Sequence, residues 1–275
     1  MTLVVRRESL PSYPEKLHLE SHFGNVDAEV ARTAEVPAVD IIWLTVKATQ
    51  LEASLKAITN PDSFKAIVPL LNGIDHIALL RQKYGAERVI PATIAVETER
   101  VAPGKIVQRS PFARLNLLLA GKSLLGTTIE YLQKIGFECQ FFDDEPTLMW
   151  SKLVFLAPFA LATTAADKTT GQVLSDPTWK ELATACIRET SAVAVAEGAR
   201  KIDADFVIAG VMKMPANMRS SMQKDVERGN PPELDAIAAP ILRGAEKHGI
   251  DVPATKKLVE AVEQRVANRS NSFKN

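Results

Sequence analysis

The stretch VDIIWLTVKA, residues 39–48, is a near-continuous apolar run of strand length. Such a run suits a strand that is buried on both faces, as in a parallel sheet covered by helices. The segments that follow alternate between helical and strand patterns, in the order TQLEASLKAI, KAIVPLLNGI, DHIALLRQKYG and RVIPATIAVE. This β-α-β-α-β order predicts a parallel sheet with right-handed crossovers, and therefore an α/β fold.

The pattern changes at the sequence DDEP, near residues 145–147. Before it, VAPGKIVQRS and ARLNLLLAG predict a pair of strands around a turn, and GTTIEYLQKIG predicts one more helix. After it, nearly every segment has the apolar spacing that is typical of helices. We therefore predict an α/β domain over residues 1–145 and an all-helical domain over residues 146–275.

The composition excludes several classes of partner. The 275 residues carry 33 Lys and Arg against 33 Asp and Glu, so no net charge draws the chain to nucleic acid or to a membrane surface. Cys139 and Cys186 stand alone, so we expect reduced thiols. His18 and His22 are four residues apart, but their surroundings, KLHLESHFG, predict a strand and a turn rather than a helix, so we expect no metal. We find no apolar run near the roughly 20 residues of a membrane span and no signal peptide, and therefore expect a cytoplasmic protein.

Charged and amide side chains follow three predicted strands, where open parallel sheets bind their ligands. Lys47 follows IIWLTV, Asn72 and Gly73 follow IVPLL, and Arg6 follows the first strand, TLVV. We expect Arg6 and Lys47 at the same edge of one sheet. A lysine there suits an anionic ligand, although a solvated lysine at a strand end explains it equally well. An arginine after the second strand of a dinucleotide fold commonly accommodates the 2′-phosphate of NADP.

The glycine pattern conflicts with a complete dinucleotide fold. Such a fold needs G-x-G-x-x-G between its first strand and first helix, because the backbone approaches the pyrophosphate there. The chain has 13 glycines and no G-x-G, and no room for the motif precedes Thr2. The sequence therefore predicts a sheet of this kind without its phosphate-binding loop.

Two ionisable residues of the helical half are candidates for catalysis. Lys152 lies early in an otherwise apolar predicted helix, MWSKLVFLAP. Desolvation lowers the pKa of such a lysine, which suits a general acid near neutral pH, but the ammonium could also simply reach water along the helix surface. Glu233 opens a predicted helix after two prolines. A glutamate there favours the helix dipole without any catalytic role.

Several segments together resemble ketopantoate reductase (2-dehydropantoate 2-reductase), in that family's order and near its spacing. They are TLVVRR, VDIIWLTVKATQ, LLNGI, MWSKL, MRSSMQKDVERG, and PELDAI followed by RGAEKHGIDVP. The resemblance covers nearly the whole chain. It implies a Rossmann domain followed by a helical domain similar to that of 6-phosphogluconate dehydrogenase, and NADPH-dependent reduction of ketopantoate to pantoate in the route to pantothenate.

Members of that family normally begin with a strand, G-x-G-x-x-G and a helix, and then reach the segment that here reads TLVVRR. The resemblance therefore implies an N-terminally truncated Rossmann domain that lacks roughly 25–30 residues of a first βα unit. We expect this chain to bind NADP(H) weakly or not at all. One hypothesis is that the start of the gene has been misassigned. It requires that the DNA upstream encode, in frame, a strand, G-x-G-x-x-G and a helix.

The resemblance also implies roles for individual residues. Lys152 matches the general acid, Glu233 matches a glutamate that hydrogen-bonds the substrate hydroxyl, and Asn72 matches a residue that contacts both cofactor and substrate. The remaining matches are Ser221 for the substrate carboxylate, Arg6 for the 2′-phosphate, and Lys47 and Gln50 for the cofactor side.

A second substrate-binding candidate comes from helical spacing. Asn217, Ser221 and Asp225 are four residues apart, so a continuous helix would carry them on one face. The alternative is an ordinary exposed polar face, with Asp225 as a structural residue.

The sequence departs from the family at two positions beside Lys152. Relatives usually carry asparagines one and two helical turns after the lysine, but here these positions are Leu156 and Ala160, which cannot hydrogen-bond a substrate. Thr163 returns to that face about 16 Å along the helix axis, too far to replace them. We therefore keep open a reductase for a bulkier or more apolar 2-keto acid. Pro240 predicts a kink in its helix.

Two further interpretations stay open beside the leading one, an NADP-dependent 2-keto-acid reductase. The first is a truncated, non-catalytic paralogue that keeps the helical domain as a dimerisation or small-acid-binding module. The retention of Lys152, Ser221 and Glu233 argues against it. The second is a different β-hydroxyacid dehydrogenase, which the segment RSSMQKD disfavours. A homodimer is compatible with each of these interpretations.

Overall fold

A computed structural model describes the whole chain except residue 201 and residues 273–275. The chain divides into two compact units, which are Met1–Leu71 with His76–Asp143, and Asn72–Asp75 with the described residues from Asp144 onward. The first unit is α/β and the second is helical. The short segment Asn72–Asp75 therefore belongs by its contacts to the helical unit, although the sequence on either side of it belongs to the α/β unit.

The α/β unit contains short strands and three α-helices. The strands are β1 (Thr2–Val4), β2 (Lys16–Glu20), β3 (Val26–Glu29), β4 (Ala31–Thr33), β5 (Ile41–Leu44), β6 (Ala66–Pro69), β7 (Ala92–Ala95), β8 (Thr98–Ala102), β9 (Lys105–Gln108), β10 (Arg114–Leu118) and β11 (Glu138–Phe142). The helices are α1 (Leu51–Leu55), α2 (His76–Tyr84) and α3 (Lys122–Lys134).

The apolar runs form the parallel strands that the sequence predicts. Strand β5 pairs in parallel with β6, with Ile41 opposite Ala66 and Leu44 opposite Pro69. All four residues of β6 are buried. The buried apolar side chains of this region form one core cluster, which comprises Ala66, Val68, Ile90, Ala92, Leu115, Leu117, Leu125 and Ile129. This core explains why continuous apolar runs, rather than alternating ones, mark its strands.

One expectation about strand pairing is confirmed in part and another is wrong. The predicted strand 88–97 continues the parallel order through an isolated bridge, in which Val89 pairs with Ile67 of β6. Its later part, β7, runs antiparallel to β10, and β10 in turn pairs in parallel with β11. The expected pairing between β10 and the strand before it is wrong, because β9 forms a hairpin with β8. Gly104 sits at the turn of this hairpin with φ +74°, a conformation that glycine adopts without strain.

The expectation that Arg6 and Lys47 share a sheet edge is also wrong. Strand β1, which precedes Arg6, pairs in parallel with β4, whereas Lys47 follows β5. These two pairs are separate sheets among the described strands. Between them in sequence, the β2–β3 hairpin joins β9 and β8 in a four-stranded sheet. The sequence gives little sign of β2, β3 and β4, because none of their residues is buried and each strand carries polar residues.

The helical unit is built around one apolar helix. Its helices are α4 (Glu145–Ala166), α5 (Thr170–Ser175), α6 (Pro177–Ala196), α7 (Ala204–Met212), α8 (Ser221–Glu227), α9 (Leu234–His248) and α10 (Pro253–Ser272). Helix α4 packs against α6, α8 and α10, and most of its residues are buried. The backbone N–H of Thr147 donates to the Asp144 carboxylate, which caps the start of α4 as Asp residues commonly do.

Helix α4 also meets the length and composition of a membrane-spanning helix, contrary to the expectation that no segment would. Its most apolar window has a mean hydropathy of 1.4, and 67% of that window is buried inside the protein. Burial of this kind is what the central helix of a water-soluble fold shows, so composition alone is weak evidence for a membrane span.

Helix α9 runs from Leu234 to His248 with Pro240 inside it, so the proline does not divide the helix.

Close packing between α6 and α9 depends on the absence of a side chain at Gly244. A Cβ there would lie 2.6 Å from Val193 Cγ1. We expect Gly244→Ala to destabilise the protein by about 1–3 kcal/mol, because a close-packed interface has no space for an added methyl group. Urea unfolding, followed by circular dichroism, measures this as a lower transition midpoint.

Gly210 in α7 provides the matched control. A Cβ at this position meets nothing within 4 Å. We expect Gly210→Ala to raise the unfolding free energy by about 0.5–1 kcal/mol, because alanine favours the helix and restricts the unfolded chain. Equal effects of the two substitutions would contradict the packing that the structure assigns to α6 and α9.

Candidate active site

The segment Asn72–Asp75 is fixed to the helical unit by three different contacts. Ile74 packs against the apolar core of the unit, and the Asp75 carboxylate accepts a hydrogen bond from Arg243 of α9 at 2.5 Å. Gly73 has φ +81°, and a Cβ at this position would collide with the backbone oxygen of Ala236. The glycine therefore allows the backbone to lie directly on the first turn of α9.

This placement brings Asn72 beside Glu233. Glu233 occupies the N-cap position of α9 and is 6% exposed. The Asn72 amide nitrogen donates to Glu233 Oε2 at 3.0 Å, across 161 residues of sequence. The prediction that Glu233 opens a helix is thus confirmed, and its carboxylate is also held from the side by an amide donor.

Lys152 completes a line of three side chains. Its ammonium donates to the Asn72 amide oxygen at 2.9 Å. Lys152 lies about two turns into α4 and is half-buried. The amide of Asn72 therefore joins a cation on one side to a carboxylate on the other, and only one orientation of the amide satisfies both partners.

Burial changes the proton affinity of Lys152. Desolvation lowers the pKa of its ammonium from 10.5 to about 8, while the negative charge of Glu233 opposes that fall. Desolvation disfavours the charged form and a nearby carboxylate favours it, so the two effects have opposite signs. The result is an amine that can hold or release a proton within the range of neutral to mildly alkaline pH.

The three candidates near α8, which are Asn217, Ser221 and Asp225, lie in different environments. Ser221 is the first residue of α8 and is exposed. Asn217 precedes the helix and lies in a turn, so the prediction that Asn217, Ser221 and Asp225 share one helix face is wrong. Helix α8 begins only at Ser221 because Ser220 caps it, with the backbone N–H of Gln223 donating to the Ser220 hydroxyl.

Asp225 is buried within the helical unit. The residue is 6% exposed, and the Asn230 side-chain amide donates to the Oδ1 of its carboxylate at 3.4 Å. The backbone N–H of Asn230 also donates to the backbone oxygen of Asp225 at 2.9 Å. These contacts support a structural role at the end of α8.

The face of α4 beyond Lys152 is apolar. Leu156 is half-buried and packs against the core of the unit, and Ala160 is 1% exposed. Both positions lie four and eight residues after Lys152, on the same side of the helix. Neither side chain carries a hydrogen-bonding group, and both contribute to the apolar core of the helical unit.

The cofactor candidates other than Asn72 lie in the α/β unit. Arg6 follows β1 and is exposed, with its guanidinium 3.7 Å from the Glu8 carboxylate. Lys47 follows β5 and is half-buried, and Gln50 is exposed at the end of the 3₁₀ turn that starts after Lys47. All three are hydrogen-bond donors after strands that belong to parallel pairs.

Sequence reasoning missed the Asp75–Arg243 ion pair. Each partner is about half exposed, and although Arg243 opens the segment RGAEKHGIDVP, nothing in that segment points to Asp75. The only available signal is that Asp75 comes directly after the candidate segment LLNGI. Among the described residues, no group of three or more His, Cys, Asp and Glu side chains is arranged to hold a metal ion.

Comparisons with known proteins agree with this architecture. The family described as ketopantoate reductase PanE/ApbA matches residues 1–117, and its C-terminal counterpart matches residues 146–266. The 2-dehydropantoate 2-reductase of Caulobacter vibrioides is 31% identical over 254 residues, which are 89% of this chain and 85% of that protein. The chain belongs to the ketopantoate reductase family. The resemblance predicted from the sequence is therefore confirmed. The prediction that the protein is an oxidoreductase is confirmed with it.

Solved structures confirm the fold. The 2-dehydropantoate 2-reductase of Methylococcus capsulatus matches with a TM-score of 0.83 at 22% identity, over 98% of this chain and 90% of that chain. A structure of D-mandelate dehydrogenase with NADH and anilino(oxo)acetate matches with a TM-score of 0.81 at 21% identity, over 96% of this chain and 88% of that one. The predicted Rossmann-type α/β part followed by a helical part is thus confirmed.

The opposing effects on Lys152 lead to a direct test. We expect its pKa to be about 8, and we expect Glu233→Gln to lower it further, because the substitution removes the charge that favours the ammonium. NMR titration of a protein with isotope-labelled lysines measures both values. Glu246→Gln, an exposed carboxylate near the other end of α9, is the control and should leave the Lys152 titration unchanged. A raised pKa in Glu233→Gln would refute the assigned electrostatics.

Proposed function

We propose that the protein is an NADPH-dependent 2-keto-acid reductase that converts 2-dehydropantoate to pantoate, a step of pantothenate biosynthesis. The observation that carries the proposal is the line of side chains from Lys152 through Asn72 to Glu233. Reduction of a ketone needs a proton donor at the oxygen and groups that orient the substrate, and these three residues offer both. Family membership supports the same chemistry.

Lys152 serves as the general acid. When bound, NADPH would supply a hydride to the carbonyl carbon of the keto acid. As the carbon–oxygen double bond becomes a single bond, the electron pair moves to oxygen and the Lys152 ammonium gives its proton to that oxygen. A pKa of about 8 keeps most of this group protonated at neutral pH while making the proton easier to transfer than from an ordinary lysine.

Asn72 and Glu233 hold the acid and the substrate. The amide of Asn72 fixes the direction of the lysine ammonium, and the Glu233 carboxylate accepts a hydrogen bond from the substrate hydroxyl. The exposed hydroxyl of Ser221 and the amide of Asn217 are the donors that we assign to the substrate carboxylate. Their neutral character suits a carboxylate that must bind and leave within one turnover.

The cofactor assignment rests on the α/β unit. The guanidinium of Arg6, the ammonium of Lys47 and the amide of Gln50 are donors that fit the phosphates and hydroxyls of a dinucleotide. We assign Arg6 to the 2′-phosphate, which makes NADPH the preferred nicotinamide cofactor. Residues 1–145 would bind the cofactor, residues 146–275 would bind the substrate and mediate any homodimer, and the protein would act in the cytoplasm.

Replacing the general acid tests the proposal. We expect Lys152→Met to lower kcat by about 10²–10⁴-fold, the usual contribution of a positioned proton donor, without weakening NADPH binding. In the unmodified protein, kcat for reduction should fall as the pH rises through about 8, because the ammonium is then lost. Steady-state rates come from the loss of NADPH absorbance, and Lys256→Met, an exposed lysine of α10, is the matched control.

The same assay needs a protein that binds NADPH. Calorimetric titration of this chain, and of the chain extended to an upstream in-frame start, identifies which form to use. Binding by neither form, or full activity of Lys152→Met, would overturn the proposal. The first outcome would instead favour a non-catalytic module that binds small acids or dimerises through its helical part.

The apolar residues Leu156 and Ala160, one and two turns after Lys152, favour a second substrate class. A 2-keto acid with a bulky apolar substituent would gain contact with the half-buried Leu156, whereas the polar end of 2-dehydropantoate would find no hydrogen-bond partner at either residue. The D-mandelate dehydrogenase among the structural neighbours is solved with anilino(oxo)acetate, a ligand whose oxo carbon carries an aromatic anilino group. The substrate is therefore either 2-dehydropantoate or a bulkier keto acid, and residue 156 is the position that we expect to discriminate between them.

A substitution at Leu156 distinguishes the two substrates. We expect Leu156→Asn to raise kcat/KM for 2-dehydropantoate relative to an aromatic 2-keto acid by about 10-fold, because it restores an amide donor beside Lys152. A panel of keto acids gives the ratio before and after the change. Leu182→Asn, at a half-buried leucine of α6, controls for loss of stability. An unchanged ratio would exclude residue 156 as a determinant of specificity.

A further inference from the structure

A buried hydroxyl cluster links the C-terminal half of α4 to the start of α8. We call Thr163, Thr164 and Ser220 the α4–α8 hydroxyl cluster. The Thr163 and Ser220 hydroxyl oxygens lie 2.9 Å apart, and those of Thr164 and Ser220 lie 3.4 Å apart. The three residues are 1%, 0% and 2% exposed. The cluster is therefore shielded from water and must satisfy its hydrogen bonds internally.

The cluster is hydrogen-bonded to the backbone on both sides, at α4 and at α8. The Thr163 hydroxyl also donates to the backbone oxygen of Phe159, at 2.8 Å. On the other side, the backbone N–H of Gln223 donates to the Ser220 hydroxyl at 3.1 Å. A second hydrogen bond, outside the cluster, also joins the two helices. In it the Gln223 side-chain amide donates to Asp167, at the end of α4, at 3.3 Å. The Gln223 amide oxygen has no such bond, but the three hydroxyls of the cluster are all paired. Buried hydroxyls paired in this way favour one geometry, since a displacement leaves a polar group without its partner.

Helix α8 needs such an anchor. It has seven residues, and a helix this short is not stable without tertiary contacts. Ser220 is its N-cap and Ser221 its first residue, so the position of the Ser220 hydroxyl determines where the Ser221 side chain begins. The exposed Ser221 hydroxyl is therefore placed by a bond made one residue earlier in the chain.

The anchor and Lys152 lie on one face of the same helix. Thr163 follows Lys152 by eleven residues, which is close to three full turns, so the two side chains leave α4 in nearly the same direction, about 16 Å apart along the axis. Thr163 is too far away to touch a substrate at Lys152. It is nevertheless connected to the lysine through three turns of one continuous helix, in which Pro158 is the one proline between them.

We propose that Thr163 is a positioning residue that holds the start of α8, and through it the Ser221 hydroxyl, in register with Lys152 on α4. The inference rests on the proposed function, because it assigns the Ser221 hydroxyl to the carboxylate of the keto acid. Its effect is on substrate binding rather than on proton transfer. The Thr163–Ser220 bond determines where the carboxylate lies when the carbonyl faces the lysine.

Thr163→Val tests this inference, since valine keeps the shape of threonine and removes the hydroxyl. We expect KM for the keto acid to rise roughly 3- to 10-fold, the effect of losing about one neutral hydrogen bond. We expect kcat to change less than about 2-fold, because the lysine is not displaced. Thr163→Ser retains the hydroxyl and should restore KM. In a Ser221→Ala background, Thr163→Val should raise KM no further, because the group through which it acts is already gone.

Thr190→Val is the matched control. Thr190 is equally buried, and its hydroxyl donates to the backbone oxygen of Cys186 one turn earlier at 2.8 Å, within α6. The substitution removes the same kind of bond with no link to α8. We expect it to leave KM unchanged, and we expect amide hydrogen exchange at Gln223 to accelerate in Thr163→Val but not in Thr190→Val.

The outcomes separate the inference from the proposed function. Unchanged KM in an active Thr163→Val enzyme overturns the inference alone, as does an equal rise in Thr190→Val. Equal Gln223 exchange in the two variants overturns it as well, because the bond would then not anchor α8. An unmodified protein that binds NADPH but reduces no keto acid overturns the proposed function, and the catalytic part of the inference with it.

Discussion

The site depends on one amide that separates a cation from an anion. A direct ion pair between Lys152 and Glu233 would stabilise the ammonium and hold the pKa of the lysine high. With Asn72 between them, the carboxylate still attracts the ammonium but at a greater distance, and desolvation is the larger effect. The amide thus gives both residues a hydrogen-bond partner while leaving the lysine able to release its proton.

Helix α4 combines two roles that are usually carried by different elements. It is the central core helix of its unit, which explains its high apolar content, and it also carries Lys152 near its first turns. Burial of the helix is what desolvates the lysine, so packing and proton affinity have the same cause. The threonines near its other end extend this connection to α8, through hydroxyls that the core fully encloses.

The sequence predicted those parts of the structure whose cause is local. Apolar runs identified β5, β6 and α4 because burial on all sides leaves a continuous pattern. Exposed strands such as β2 left no such pattern, and the pairing of β10 is set by partners distant in sequence. Helical spacing misplaced Asn217 because spacing does not reveal where a cap begins a helix. Lys152 and Glu233 were identified individually, but their link through Asn72 is a tertiary contact that no spacing encodes.

The placement of Asn72–Asp75 has a consequence for how the protein is made. These four residues are synthesised with the first half of the chain but belong to the unit built from the second half. The contact with Glu233 spans 161 residues and the contact with Lys152 spans 80. On the ribosome, Asn72 emerges long before either partner exists, so the segment stays without its contacts until nearly the entire polypeptide has been translated. A gene cut at the domain boundary would also separate Asn72 from Lys152 and Glu233, so the helical half on its own would lack the amide that joins the two.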